Sequence, residues 1–320
     1  MKVTAGPHAL RLGFVRLMTL LALGFVLVLI WRERVELLGW LAAIDVPWAA
    51  SSLVLLFVSN ASAALLFAAL AARRSATRVP VRLGAGAFLL GQVGKYLPGR
   101  IWGVAQQAAL LAGRLRVGAV VVANLEVFGV VLLLTSGLGM ALLAFDAAHH
   151  GLAAAALAAT LVLAAAALRS RLLDLLLGRV WRVLPARIQH AFRGSEGERS
   201  GQAPRHGLAF AACLAFCTAF VSGWFLLFNQ GLGLGAAESV RITAILAVSA
   251  VVGMLSLLPG GLGAREAAMV VLGGSLASEP ASMASLAVVT RAAIIVVDLL
   301  SAITGAAMLG TSQVTRAGDE

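Results

Sequence analysis

Residues 83–112 read LGAGAFLLGQVGKYLPGRIWGVAQQAALLA. Two apolar arms, 83–94 and 101–112, flank the polar break Lys95-Tyr96-Leu97-Pro98-Gly99-Arg100. At ~1.5 Å per helical residue, each arm reaches only about halfway through a hydrocarbon core of ~30 Å. Arg82 precedes the stretch and Arg114 follows it, and basic residues at both ends are typical of cytoplasmic loops. We therefore predict a re-entrant helical hairpin that enters from the cytoplasmic side; a single bent span is the alternative.

The composition predicts that this hairpin lies in a membrane. Hydrophobic residues make up 61% of the 320 residues and charged residues 12%, whereas soluble domains have roughly 45–50% and about 25%. A backbone in lipid must satisfy its own hydrogen bonds, which leaves helices or closed barrels. The apolar runs lack period-2 alternation, so the prediction is an all-α polytopic membrane protein. A disordered chain, a disulfide scaffold and an ordinary cytosolic enzyme are excluded.

The remaining apolar runs predict about six transmembrane helices, at 17–31, 49–72, 118–145, 152–168, 208–228 and 284–309. The formal net charge of +11 comes largely from arginines at the ends of these runs and in the polar stretch 169–206. That distribution is typical of cytoplasmic loops, and we expect no nucleic-acid partner. The predicted protein is a multi-pass plasma (inner) membrane protein with both termini in the cytoplasm. Residues 169–206 are predicted to include an amphipathic helix at the membrane surface.

A second broken apolar segment predicts an inverted repeat. Its arms, 242–258 and 264–276, flank Leu258-Pro259-Gly260-Gly261-Leu262-Gly263, and its outer ends lack a basic cluster. We therefore predict a second hairpin that enters from the outside. The shared Leu-Pro-Gly break predicts two oppositely oriented repeats, a plan that transporters use to build a site near the bilayer midplane. The alternative is that Pro and Gly are simply common in membrane helices.

The repeat divides the chain into five predicted parts. Residues 49–145 and 208–310 form the two repeats, each a span, a hairpin and a span. Residues 1–48 are predicted as an N-terminal helix with an external loop, and 146–207 as a connecting span with the basic cytoplasmic segment. Residues 311–320 are predicted as a cytoplasmic tail.

Charged residues inside membrane segments mark the candidate site, because an unpaired charge there costs at least ~2.5–3.5 kcal/mol. They are Lys95, Arg100, Glu126, Arg265, Glu266, Arg291 and Asp298. The hairpin tips add Pro98, Gly99, Pro259, Gly260, Gly261 and Gly263. A half-helix N-terminus offers free N–H groups, and glycines allow an anion to come close to them. Together with the cationic side chains, this pattern predicts a phosphate-binding site.

Structural roles for the same charges stay open. Arg265 with Glu266, or Arg291 with Glu126, are alternatively ion pairs within the bundle, and Lys95 alternatively reaches the cytoplasmic surface. The sequence contains no motif of a zinc protease, nucleotide-binding loop or serine hydrolase. We therefore expect no enzyme activity, no cofactor and no metal site.

The tip of the second hairpin resembles a known family. Residues 258–266, LPGGLGARE, followed by Thr290-Arg291 in an apolar helix, are similar to the transmembrane flippase domain of lysylphosphatidylglycerol synthases, which also occurs in stand-alone membrane proteins. The break at residues 97–99 resembles the first break of that family, and the resemblance extends from the second span to Leu309. The family tends to carry Glu-Arg followed by Asp after its first hairpin. Here Glu126 is present, but Val127 and Val130 stand where the Arg and the Asp would be.

The resemblance implies a flippase-like protein that translocates an anionic lipid between leaflets: a phospholipid, an aminoacyl-phospholipid or a polyprenyl-phosphate-linked sugar. Our hypothesis is that Arg100, Arg265 and Arg291 hold the headgroup phosphate between the hairpin tips while the acyl chains stay in lipid. Rocking of the two halves would alternate access. Expected partners are the anionic headgroup, membrane lipids, and a second copy of the chain or a separate lipid-modifying enzyme. No synthase activity is implied.

Two other functions stay open at this point. One is a membrane glycosyltransferase or its accessory subunit, which would need an acidic pair that faces the cytoplasm. The other is a non-transporting assembly partner whose buried charges are structural pairs. Exchanging the two charges within a pair would preserve the function of such a partner but not that of a phosphate site.

Overall fold

The fold of the chain is taken from a computed structural model. It describes residues 13–21, 24, 28, 31, 34, 38–39, 42, 44–75, 79–97, 101–169, 206–256, 258–261, 263–276 and 280–317, without the side chains of 275–282 and 311–317. The predicted first span, 17–31, is therefore described only in part, and the basic segment at 170–205 lies outside the described residues. So do Pro98, Gly99 and Arg100, the tip of the first hairpin.

The described elements are helices. They are α1 (Val46–Ala72), α2 (Val81–Gly91) with a 3-10 turn (Gln92–Tyr96), α3 (Trp102–Leu110), α4 (Val117–Asp146), α5 (His150–Arg169), α6 (His206–Leu226) with a π turn (Leu227–Gly231), α7 (Ala236–Leu255), a 3-10 turn (Pro259–Gly261), α8 (Ala264–Leu276) and α9 (Pro280–Ala317). The all-α polytopic membrane fold expected from the sequence is confirmed.

Six helical segments are long and apolar enough to cross a membrane, within the part of the chain described. They are Val46–Ala72, Val117–Asp146, His150–Arg169, His206–Gly231, Ala236–Leu255 and Met283–Gly310. Five of them match predicted spans, and the sixth, α7, is the first arm of the predicted second hairpin. That arm begins at Ala236 rather than at Ile242, because Gly235 precedes the helix and Glu238 lies in its first turn, where a negative charge is favourable.

The two arms of the first hairpin pack directly against each other. A Cβ atom at Gly94 would lie 2.5 Å from the backbone nitrogen of Gly103, and one at Gly103 would lie 2.5 Å from the carbonyl oxygen of Gly91. Only glycine leaves room for backbones at this separation. The chain therefore turns back on itself between α2 and α3. The re-entrant placement of both hairpins in a membrane stays a prediction.

Helices from one half of the chain pack against helices from the other half. Helix α1 packs along α6, α4 packs against α7, and α9 packs against α2. The span after each hairpin thus lies beside the first arm of the other hairpin. The two 3-10 turns, Gln92–Tyr96 and Pro259–Gly261, also contact each other. An inverted repeat would produce these paired interfaces, and the repeat itself stays a prediction.

We predict that Gly94→Ala lowers the thermal stability of the purified protein in detergent. The added methyl group meets the backbone of Gly103, which no side-chain rotation can relieve, and such overpacking costs about 1–3 kcal/mol. Gly151→Ala is the matched control, because nothing lies within 4 Å of a Cβ atom at that position. Equal melting temperatures for the two variants would contradict the close packing of the first hairpin.

Candidate functional site

A cavity of about 390 Å³ lies where the hairpin turns and the long helices meet. Its polar and glycine lining comprises Ser59, Asn60, Gly91, Gln92, Lys95, Gly103, Gln107, Asn124, Thr135, Gly253, Gly260, Arg265 and Asp298. Its apolar lining comprises Leu56, Ala63, Phe88, Val104, Val127, Phe128, Val131, Phe216, Phe220, Trp224, Ala250, Met254, Ile294 and Val297. Both halves of the chain contribute to each group. The cavity is therefore a shared, amphiphilic space between the two predicted repeats.

Asp298 is the polar anchor of the cavity wall. It lies on α9, is 1% exposed, and accepts hydrogen bonds from three donors on other elements. Lys95 Nζ lies 2.8 Å from both carboxylate oxygens, and the Tyr96 hydroxyl donates to Oδ2 at 2.6 Å. Asn60 Nδ2 completes the set at 3.4 Å from Oδ1. A buried carboxylate is tolerated because it is paired and hydrogen-bonded in this way. Asp298 thereby holds the first hairpin against α9 and α1.

Arg265 is the second cation that lines the cavity, and its surroundings differ from those of Lys95. It lies at the start of α8 and is 9% exposed. Its Nη2 donates to the Thr290 hydroxyl at 3.2 Å, a neutral partner. In the described part of the chain, no carboxylate lies within ion-pair distance of the guanidinium.

The guanidinium of Arg265 also faces open space. Among the described residues, the fully buried side-chain polar atoms without a hydrogen-bond partner are Gln106 Oε1 and Ser239 Oγ. No nitrogen of Arg265 is among them. The nitrogens that do not contact Thr290 are therefore accessible, and the cavity is the space that Arg265 lines. A Cβ atom at Gly253 would lie 3.0 Å from the Cβ atom of Arg265, so a side chain there would crowd Arg265 against α7. This cation is positioned to meet an anion that enters the cavity.

Two further candidate charges are engaged with each other. Arg291 Nη2 lies 2.9 Å from Glu266 Oε1, and the other carboxylate oxygen accepts the Gly263 N–H at 2.6 Å. The Glu266 side chain thus occupies the N-terminus of α8, where the sequence predicted an anionic ligand. The partner of Glu266 is Arg291 rather than the neighbouring Arg265. Neither member of this pair is among the residues that line the cavity.

Glu126 lies in a third pair, away from the cavity lining. It is 5% exposed on α4, and Arg74, just after α1, donates to its two carboxylate oxygens at 2.5 and 3.3 Å. Arg73 donates to the Leu168 carbonyl oxygen at 2.8 Å and also contacts His206 Nδ1. These contacts join the end of α1 to α4, α5 and α6. Glu126 is held by Arg74 in this arrangement and not by Arg291.

The turn between α7 and α8 depends on glycine. Gly260, Gly261 and Gly263 have φ values of 58°, 73° and 82°, which favour glycine over other residues. A Cβ atom at Gly261 would also lie 3.0 Å from the carbonyl oxygen of Gly253. Pro259 begins the turn, and Gly260 lines the cavity. This compact turn places Arg265 beside the cavity.

An aromatic ladder forms part of the apolar wall. Phe216, Phe220 and Trp224 recur every fourth residue on α6 and therefore share one helix face. Successive ring centroids lie 5.8 and 6.4 Å apart, and all three side chains line the cavity. Val127, at the position where the resemblance expects an arginine, lines the cavity on α4. The wall there is apolar rather than charged.

The structure thus separates the sequence-predicted residues into groups. Lys95, Gly260, Arg265 and Asp298 line one cavity, whereas Glu126, Glu266 and Arg291 form ion pairs outside its lining. Pro259, Gly261 and Gly263 shape the turn, and Pro98, Gly99 and Arg100 lie outside the described residues.

Sequence reasoning did not identify Asn60 or the aromatic ladder. A lone asparagine in an apolar run gives no pattern that points to Asp298, more than two hundred residues away in sequence. The ladder does leave a signal, because its aromatic residues repeat at a spacing of four.

We predict that Asp298→Asn rescues part of the stability lost in Lys95→Met. The single variant Lys95→Met leaves a buried carboxylate without its cation, and removing one partner of such a pair is strongly destabilising. The double variant removes that uncompensated charge and should melt at a higher temperature than Lys95→Met alone, with a coupling of about 0.5–3 kcal/mol. Additive losses in thermal unfolding would contradict the pairing.

Comparison with known families agrees with this architecture. The family model described as Lysylphosphatidylglycerol synthase TM region matches residues 15–302, a range that contains every residue of the cavity lining. Neither a curated protein nor a solved structure matches the chain. The six helices that are long and apolar enough to cross a membrane and the extent of the family match together fit a lipid-related multi-pass membrane protein. The chain belongs to the family of the lysylphosphatidylglycerol synthase transmembrane region.

Proposed function

We propose that this protein translocates an anionic lipid between the leaflets of the plasma membrane, with its headgroup bound in the central cavity. The observation that carries the proposal is the guanidinium of Arg265. It faces an amphiphilic cavity, donates to one neutral hydroxyl, and has no carboxylate at ion-pair distance among the described residues. The lipid-related family supports the same class of ligand.

An anionic group is the natural occupant of this position. A desolvated arginine is stabilised by a phosphate, which it binds through two parallel hydrogen bonds in the geometry of its planar fork. Lys95 lines the same cavity and adds a second positive charge, although Asp298 engages it. The Gln92 amide and the side-chain carbonyl oxygen of Asn60 are available to the polar part of a headgroup, whereas the Asn60 amide nitrogen donates to Asp298 and Ser301. The phosphate thus meets cations at one place and hydrogen-bonding groups around it.

The walls favour a lipid over a water-soluble anion. Much of the lining consists of aromatic and branched aliphatic side chains, which a hydrated ion would gain nothing from contacting. Phe128 lines the cavity and is also 38% exposed, so the cavity has an apolar rim on α4. Tails can leave the cavity across this rim into the bilayer. An amphiphile with a charged head and an apolar tail matches both parts of the lining.

The two turns and the exchanged interfaces support an alternating-access mechanism. Lys95 and Tyr96 belong to one hairpin, Arg265 to the other, and Asp298 to the last span. A headgroup between them touches elements of both halves of the chain. Rocking of one half against the other would open the cavity to one leaflet and then to the other. We place both termini in the cytoplasm, as the distribution of arginines predicts.

The assembly-partner alternative accounts for some of the buried charges. Glu126 with Arg74 and Glu266 with Arg291 are ion pairs outside the cavity lining, as a structural role requires. This alternative does not explain the position of Arg265 at the cavity. A second copy of the chain or a separate lipid-modifying enzyme is a compatible partner of the flippase.

We predict that Arg265→Gln slows translocation of acyl-chain-labelled phosphatidylglycerol in proteoliposomes by at least about tenfold. Hydrogen bonds to charged groups contribute roughly 1.5–3 kcal/mol, and tenfold corresponds to 1.4 kcal/mol. The rate is measured from the loss of fluorescence when dithionite reduces the label in the outer leaflet.

Arg241→Gln is the matched control for this assay. It removes an arginine that pairs with Asp146 at 2.8 Å and does not line the cavity. We expect it to keep the wild-type rate. Equal rates for Arg265→Gln and the wild type, with equal amounts of folded protein, would refute the proposed role of the cavity.

A further inference from the structure

We propose that Gln107 and Asn124 form a second subsite of the cavity, which binds a hydroxyl group of the lipid headgroup. The ligand is then an anionic lipid with a hydroxylated headgroup, a polyol or a sugar. This inference rests on the proposed function and narrows its substrate class. It follows from the orientation of two side-chain amides that line the cavity.

The orientation of the Asn124 amide is fixed by the backbone of its own helix. Its Nδ2 donates to the Val120 carbonyl oxygen, one turn earlier on α4, at 2.8 Å. A carbonyl oxygen only accepts, so the group that faces it has to be the amide nitrogen. Nδ2 also donates to Gln107 Oε1 at 2.7 Å. Both hydrogens of the Asn124 amide are therefore used, and its Oδ1 is left as an acceptor.

The orientation of the Gln107 amide is fixed in turn by Asn124. Because Asn124 donates, Gln107 has to present its Oε1 to it, and the Gln107 Nε2 keeps its hydrogens for another acceptor. Gln107 lies on α3 and is 3% exposed. A Cβ atom at Gly91 would lie 2.8 Å from Gln107 Nε2, so this glycine on α2 leaves room for the amide nitrogen. The donor is thus held in a confined place beside α2.

The two remaining amide atoms are open to the cavity. Among the described residues, neither Gln107 Nε2 nor Asn124 Oδ1 has a hydrogen-bond partner. Neither atom is among the fully buried polar atoms without a partner, so both are accessible. The cavity is the space that both residues line. A donor and an acceptor on two neighbouring helices are therefore presented together to a ligand in the cavity.

A hydroxyl group matches this pair better than an ionic group does. A hydroxyl can donate to Asn124 Oδ1 and accept from Gln107 Nε2 at the same time. A phosphate oxygen can use only the donor, and an ammonium group can use only the acceptor. The amide pair therefore binds the alcohol part of a headgroup, while Arg265 binds the phosphate of the same headgroup.

The surroundings of the pair suit a headgroup with several hydroxyls. Asn60, Gln92 and Thr135 add further neutral hydrogen-bonding side chains to the lining. Val127, one turn after Asn124 on α4, belongs to the apolar lining. The amide pair thus lies where polar and apolar lining meet. Further hydroxyls would find partners in the polar part, and the tails would contact the apolar part.

The test compares two lipids that share the same acyl-chain label and the same phosphodiester, phosphatidylglycerol and phosphatidylpropanol, whose headgroup lacks hydroxyls. In proteoliposomes of the wild-type protein, we expect the initial rate for phosphatidylglycerol to be at least about fivefold higher, a factor that one neutral hydrogen bond of typical strength supplies. Phosphatidylinositol in the same assay distinguishes a ring polyol from glycerol as the preferred headgroup. If neither hydroxylated lipid is translocated faster than phosphatidylpropanol, the hydroxyl subsite is refuted.

Two neighbouring glutamines provide the variant and its matched control. Gln107→Met removes the amide and keeps an unbranched side chain, so it should bring the rates for phosphatidylglycerol and phosphatidylpropanol together. Gln106→Met alters the adjacent buried residue, which contacts Thr19 at 3.1 Å and does not line the cavity, and it should keep the wild-type ratio. A preference that persists in Gln107→Met, or that is lost in Gln106→Met, would overturn the inference. The ratio compares two lipids in one preparation and does not depend on the amount of folded protein.

A binding measurement separates this inference from the proposed function. If none of the lipids is translocated, the proposed function fails, and native mass spectrometry with an equal mixture of phosphatidylglycerol and phosphatidylpropanol then decides the subsite. Preferential retention of phosphatidylglycerol by the wild type would support it. Equal retention of the two lipids would overturn it. This wild-type comparison stands even if Gln107→Met does not fold.

Discussion

The arrangement of the site depends on one electrostatic constraint, the buried guanidinium of Arg265, which has no carboxylate of the described residues within ion-pair distance. An isolated charge at such a depth is expensive, and proteins usually compensate it with a partner. The other buried charges described here follow that rule, since Glu126 and Asp298 each have an ion-pair partner. Arg265 departs from it and faces the cavity. The negative charge of a bound ligand would compensate the guanidinium of Arg265, which gives this buried cation a function.

Other contacts in the fold position that guanidinium and the cavity that it lines. Glycines in the helices near the turns let neighbouring segments approach closely, as Gly253 does beside Arg265 and Gly103 does within the first hairpin. Asp298 then ties the 3-10 turn of the first hairpin, Gln92–Tyr96, to the last span through Lys95 and Tyr96. The 3-10 turns of both hairpins therefore contribute residues to one cavity. The long helices around them supply the apolar wall.

The sequence predicted the fold class and several of the cavity residues for physical reasons that are easy to identify. Long apolar runs with few charges can only be membrane helices, and charges within such runs have to be paired or functional. Lys95, Arg265 and Asp298 were identified in this way. Their partners were not predictable, because the sequence does not reveal which helices face each other. Glu126 thus turned out to be held by Arg74, at the end of another helix, and Glu266 by Arg291. Asn60 and the ladder on α6 lacked any charge that would have drawn attention to them.

The central claim is that Arg265 binds the phosphate of an anionic lipid inside the cavity. Native mass spectrometry of the gently purified protein tests it most directly, by comparing the mass of bound lipid in the wild type, Arg265→Gln and Arg241→Gln. The account predicts a phosphate-containing lipid on the wild type and on Arg241→Gln, and its loss from Arg265→Gln. A wild-type protein without lipid, or lipid that stays bound to Arg265→Gln at the wild-type level, would contradict it.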